Sequence, residues 1–252
     1  MRTPLIAGNW KMHLARQPAG ALARDVAALV RDVPGVDVAL CPPATALDAV
    51  GRALAGTRVL LGAQTMHWEA QGPYTGEISA PMLVDLGCKT VIVGHSERRI
   101  FFGELDTAVG LKAAAAIAHG LTPIVCVGEA FSERGRGETA AVIARQLGAV
   151  LALVPAAAVA GLVVAYEPVW AIGSGLTPTG PEVDQVAALI RARLAAAGGA
   201  DAAGAARVLY GGSVKPENIG VFLEQPEIDG ALVGGASLDA SAFGAIVRAA
   251  AR

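Results

Sequence analysis

Eight short runs of branched and apolar residues recur along the 252-residue chain, and each is followed by a longer segment of helical period. The runs are Leu5 to Gly8, Val36 to Cys41, Val59 to Ala63, Thr90 to Gly94, Pro123 to Val127, Leu162 to Tyr166, Arg207 to Tyr210 and Ile228 to Val233. They are close to continuously apolar, whereas a strand open to water on one face alternates. Continuous burial is what a parallel strand covered on both faces requires. The intervening segments, about 17–33, 44–56, 79–87, 105–119, 137–153, 181–197, 215–225 and 238–251, are rich in alanine and read as helices. Ser79-Ala80-Pro81 offers a helix N-cap with proline close behind, and Gly180-Pro181-Glu182 offers an early proline with an acid in the first turn. An α/β chain in this order builds either a closed (β/α)8 barrel or a doubly wound sheet, and periodicity alone leaves both open. No polar linker divides it, so one domain over residues 1–252 is expected.

Composition narrows the function. Hydrophobic residues are 54% of the chain and charged residues 17%, enough burial to offset the entropy of ordering, which excludes a disordered chain. The formal net charge is −2 and no run of five basic residues occurs, so neither nucleic acid nor an anionic membrane surface is an expected partner. The 20 residues from Leu147 to Tyr166 carry no charge and reach the length of a membrane span. Pro155 and Gly161 interrupt them before Val163-Val164, so they read as a helix end, a turn and a buried strand. The N-terminus lacks the apolar stretch of a signal peptide. Cys41, Cys88 and Cys126 are odd in number and form no C-x-x-C, as expected of buried thiols in a reducing cytoplasm. His13, His67, His95 and His119 lack metal-ligand spacing, so no metal is expected. Gly173-Ser174-Gly175 is followed by Pro178 where a dinucleotide fingerprint needs its third glycine, and no phosphate-loop lysine motif occurs. No cofactor is expected.

A barrel gathers its functional residues just beyond the strands, where the βα connections converge. The unusual residues fall there. Asn9-Trp10-Lys11 follows the first run, Gly94-His95-Ser96-Glu97 the fourth, Gly128-Glu129 the fifth and Glu167-Pro168 the sixth. Gly211-Gly212-Ser213 follows the seventh and Gly234-Gly235 the eighth. A lysine, a histidine and a glutamate at three strand ends can converge on one small substrate. Each alone reads equally well as a solvated or satisfied polar residue, and the joint placement carries the signal. Glycine pairs leave backbone N–H groups free to close on phosphate oxygens, although an ordinary tight turn has the same composition.

Longer stretches around these residues resemble the triosephosphate isomerase family. They are Asn9-Trp10-Lys11-Met12, Val93-Gly94-His95-Ser96-Glu97-Arg98-Arg99, Ala165-Tyr166-Glu167-Pro168-Val169-Trp170-Ala171-Ile172-Gly173, Tyr210-Gly211-Gly212-Ser213-Val214 and Leu232-Val233-Gly234-Gly235-Ala236-Ser237-Leu238. The resemblance runs from residue 4 to about 250. It implies a (β/α)8 barrel enzyme without cofactor that interconverts dihydroxyacetone phosphate and D-glyceraldehyde 3-phosphate in glycolysis and gluconeogenesis. It implies Glu167 as the general base, His95 as the neutral electrophile and Lys11 as the cation facing the developing charge. Asn9 would position substrate and Glu97 would sit beside Lys11. The backbone of Gly173, Ser213, Gly234 and Gly235 would hold the phosphate. Pro168 to about Pro178 would form a lid, and Thr75, in Tyr74-Thr75-Gly76-Glu77, would reach into the neighbouring subunit of a homodimer. The chain departs from the family pattern at His13, Thr65, Ser174, Leu176 and Pro178, and at none of Lys11, His95 and Glu167. Two other readings remain: another phosphate-binding barrel enzyme, which need not keep those three together, and a non-catalytic phosphate-binding scaffold, which should have lost the base or the electrophile.

Overall fold

The computed structural model of the chain describes residues 2–172 and 175–251. Its strands are β1 (Leu5–Asn9), β2 (Asp37–Cys41), β3 (Leu60–Ala63), β4 (Thr90–Val93), β5 (Thr122–Val127), β6 (Val163–Tyr166), β7 (Arg207–Tyr210) and β8 (Gly230–Val233). All pair in parallel with their sequence neighbours, and β8 returns to β1 with Leu5 opposite Gly230 and Gly8 opposite Val233. That last pairing closes the sheet, so the fold is a single (β/α)8 barrel and the doubly wound alternative is excluded.

Closure separates two apolar cores. A small one fills the barrel with side chains such as Leu5, Ala7, Ile92, Ile124, Ala165 and Leu232. A larger one lies between the strands and the surrounding helices, where Ile6, Leu40, Val125, Val164 and Val233 point outward. The two sets interleave residue by residue because successive strand side chains face opposite sides. This alternation explains the continuous apolar runs, since both sides are dry.

The same alternation positions the site. Leu5 and Ala7 face the interior, so Asn9 does so at the barrel mouth. Val163 and Ala165 face inward, and Glu167, two residues on, continues the row. The ladder extends past the strands to hold it: the Glu167 N–H donates to Val127 O at 2.8 Å and the Gly211 N–H to Tyr166 O at 2.8 Å.

The principal helices agree with the periodic segments, including Arg16–Val30, Asp106–Ala118, Thr139–Leu151, Gly180–Gly198 and Ala240–Ala250. The segment 215–225 contracts to Ile219–Leu223. Three short helices were not expected: Ser96–Phe102, Phe131–Gly135 and Ala200–Ala205. In the first, Ile100, Phe101 and Phe102 are consecutive and exposed, so the buried stripe that betrays a helix is missing. The uncharged stretch after Leu147 divides into the end of Thr139–Leu151, a 3-10 turn at Ala156–Gly161 and β6. Among the described residues, no helix is long and apolar enough to cross a membrane.

Candidate active site

Asn9, Lys11, His95, Glu167, Ile172, Gly211, Gly212, Leu232 and Gly234 line one cavity at the mouth, contributed by the ends of β1, β4, β6, β7 and β8. Its volume is about 40 Å³. Two grooves of about 680 and 820 Å³ lie outside the barrel beside Arg16–Val30, lined by arginines and small residues with no carboxylate or histidine. Size alone would choose those grooves, whereas convergent acid, base and cation choose the small cavity.

Lys11 is held firmly. Its φ is 51°, a left-handed conformation that costs a non-glycine residue roughly 1–2 kcal/mol. The turn is fixed by three hydrogen bonds. The Lys11 N–H donates to Asn9 Oδ1 at 3.0 Å, and Gln64 Nε2 donates to Lys11 O at 2.8 Å and to Cys41 O at 2.9 Å. The ammonium reaches Glu97 Oε1 at 2.7 Å. Lys11 therefore presents its charge to the cavity from a strained but over-determined backbone.

His95 is buried and stands at the N-cap of Ser96–Phe102. The Glu97 N–H donates to its Nδ1 at 3.3 Å, which places the hydrogen of a neutral ring on Nε2. Nε2 lies 3.0 Å from Glu167 Oε1. The Glu167 carboxylate, also buried, accepts from the Ser96 N–H at 2.9 Å through Oε2 and from Ser96 Oγ at 3.4 Å through Oε1. Glu167 and His95 thus touch each other in a cavity with room for about three waters, by the roughly 10–15 Å³ a water requires.

Burial favours the neutral form of His95, but the Glu167 carboxylate at Nε2 and the nearby Glu97 outweigh it and hold the imidazole above its ordinary value. A group with a raised pKa adds stability below its unfolded value and loses that contribution as pH rises through the folded one. In the Glu167→Gln protein the chief upward cause disappears, so His95 should titrate lower than in the parent. ¹⁵N NMR titration of both proteins checks this. Superimposable curves would contradict the pairing.

Two glycines permit the approach of Glu167. A Cβ on Gly128 would stand 1.7 Å from Glu167 O, and one on Gly211 would stand 2.9 Å from Glu167 Cγ. Gln146 clamps Gly128, accepting from its N–H at 2.8 Å and donating to its carbonyl at 3.1 Å.

Of the remaining expected residues, Glu97 sits beside Lys11, and Gly234 lines the cavity with Lys11 Cε 3.5 Å from where a Cβ would stand. Ser213 and Gly235 lie in the adjoining β7 and β8 connections but do not line the cavity. Gly173 and Ser174 lie outside the described residues. Thr75 is exposed and does not line the cavity of its own barrel. Reading the sequence places Ser96 at the end of the fourth run without a role, whereas its N–H and Oγ hold the Glu167 carboxylate. It places Glu129 at the end of the fifth run without a role; the structure shows a fully buried carboxylate whose Oε1 accepts from Tyr166 Oη and Trp170 Nε1, both at 3.0 Å. Among the described residues, no cluster of His, Cys, Asp and Glu could hold a metal ion.

A family model described as Triosephosphate isomerase matches residues 4–250. A relative of that name in Symbiobacterium thermophilum is 52% identical over 251 residues, covering 100% of this chain and 98% of its own. One in Chloroflexus aurantiacus is 51% identical over 243 residues, covering 96% and 97%. Another, in Moorella thermoacetica, is 52% identical over 250 residues, covering 98% of each.

Proposed function

The chain belongs to the triosephosphate isomerase family, and from that premise we propose how its residues interconvert dihydroxyacetone phosphate and D-glyceraldehyde 3-phosphate, a step of glycolysis. Glu167 takes a proton from the carbon beside the carbonyl, leaving an enediolate. His95 Nε2–H donates to the carbonyl oxygen as charge gathers there, and the Lys11 ammonium faces the same charge. Protonated Glu167 then returns a proton to the neighbouring carbon, while the hydroxyl proton on the first carbon's oxygen passes to the carbonyl oxygen through His95 Nε2. The observation that carries the assignment is the meeting of these three side chains in one enclosed cavity. Donors fixed before the charge develops lower the barrier without reorganising, and a water-poor site strengthens them. Asn9 orients substrate, Glu97 holds Lys11 in place, and the backbone of Gly173, Ser213, Gly234 and Gly235 receives the phosphate. The segment Pro168 to Pro178 acts as a lid, a role supported by a cavity too small for substrate. No cofactor takes part, and the catalytic unit is the whole chain, 1–252.

The test is isomerisation of purified protein in D₂O. Product carrying solvent deuterium at the reacting carbon, in any fraction of turnovers, supports proton abstraction; no label together with undiminished turnover in Glu167→Gln means a direct hydride shift.

The assembly is a homodimer in the cytoplasm. Met12, Phe101 and Phe102 are exposed at 94%, 72% and 71%, apolar side chains that a subunit interface would cover. Beside Met12 an apolar cavity of about 190 Å³, walled by Leu47, Ile78 and Leu83, suits the Tyr74-Thr75-Gly76 tip of a second copy. Thr75→Arg would bury a charge with no assured partner, so the dimer dissociation constant should rise about 10²-fold. Sedimentation and activity over one dilution series should then fall together; a fully active monomer refutes the assembly. The three free, buried cysteines support the cytoplasmic placement.

A further inference from the structure

We propose that Arg134 is a positioning residue that couples the two ends of the lid, so that entry and exit limbs close together. The inference rests on the reading of Pro168 to Pro178 as a lid. Arg134 lies on the short helix Phe131–Gly135 beyond β5 and does not line the cavity. Its guanidinium sits 4.2 Å above the Trp170 ring, on the entry limb. Its Nη2 donates to Glu182 Oε1 at 2.6 Å.

Glu182 belongs to the exit limb. Its Oε2 accepts from the Thr179 N–H at 2.8 Å and from Thr179 Oγ1 at 2.9 Å, while its own N–H donates to Thr179 Oγ1 at 3.4 Å. This capping box starts the helix Gly180–Gly198, two residues past Pro178, with Thr179 as its cap. A single guanidinium therefore holds the third lid residue directly and the residue after the lid through one carboxylate.

Glu129 strengthens the link. The Glu129 oxygen that accepts from Trp170 Nε1 lies 3.8 Å from Arg134 Nη1, and the other carboxylate oxygen is buried with no hydrogen-bond partner among the described residues. A buried carboxylate needs a nearby cation, and Arg134 provides it. If the Trp170 ring leaves its seat, Glu129 loses a donor and Arg134 loses its stacked ring. The guanidinium then shifts, and Glu182 shifts with it. Only a planar fork stacks on a ring and serves two carboxylates at once; lysine supplies the charge alone. The Arg134 and Glu182 side chains are 33% and 42% exposed, and so open a pair contributes little to stability. Its loss should appear in lid motion and not in melting.

The experiment compares relaxation dispersion at the Trp170 indole and the Gly175 amide, with isomerase kinetics, in the parent protein and in Arg134→Met, Arg134→Lys and Glu182→Gln. In the parent one exchange rate should describe both probes. In Arg134→Met the two rates should separate at least about threefold and kcat/KM should fall about tenfold. Arg134→Lys should fall between Arg134→Met and the parent. Glu182→Gln, which leaves the Trp170 seat intact, should also separate the rates. One shared rate in both Arg134→Lys and Glu182→Gln would overturn the coupling, whether or not the methionine variant folds. An active parent with no exchange at either probe would instead overturn the lid reading, and the coupling with it.

Discussion

In the Glu167→Gln protein, kcat/KM falls by roughly 10²–10⁴-fold, the range lost when a positioned general base is removed. Glutamine fills the same space and its oxygen still accepts from the Ser96 N–H, which donates to the carboxylate at 2.9 Å in the parent. The cavity walls are unchanged, so a phosphate-bearing analogue of the intermediate should bind better than turnover suggests. Steady-state kinetics and analogue titration on one preparation separate the two effects. Near-normal turnover would remove Glu167 from the proposed role.

Gly128→Ala is expected to destabilise the fold by about 3–5 kcal/mol, at the upper end for a single substitution, because the clash is with backbone. The new Cβ would stand 1.7 Å from Glu167 O and 2.6 Å from its carbonyl carbon. Neither can rotate away, and the Glu167 N–H is itself tied to Val127 O. Relief therefore requires β5 and β6 to part at the mouth, which also displaces the base. Gly148→Ala is the control. Gly148 is exposed on Thr139–Leu151 with nothing within 4 Å of a Cβ, so alanine should add about 0.5–1 kcal/mol of helix stability. Chemical denaturation of both variants reads the contrast, and equal stabilities would dismiss the steric account.

The alternation of strands with helices, the dry character of both strand faces and the placement of Asn9, Lys11, His95 and Glu167 at strand ends were legible along the chain. Each is written within a few residues: a continuous apolar run stays dry on both sides only as a covered strand, and the alternation that sends Ala165 inward carries on to Glu167. The resemblance of whole motifs then added roles that no single residue announces. Closure was different, because it depends on Leu5 meeting Gly230 across nearly the whole chain, and an open sheet has the same local pattern. Ser96 beneath Glu167 and Arg134 between Trp170 and Glu182 were equally hidden, with partners 71 and 48 residues apart in the two hydrogen-bonded pairs. The helix Ser96–Phe102 escaped because its apolar side chains face outward and leave no buried period. Local pattern is set by the sterics and hydration of neighbouring residues. Which distant side chains meet is set by the curvature that closes eight strands into a ring and brings their ends to one mouth.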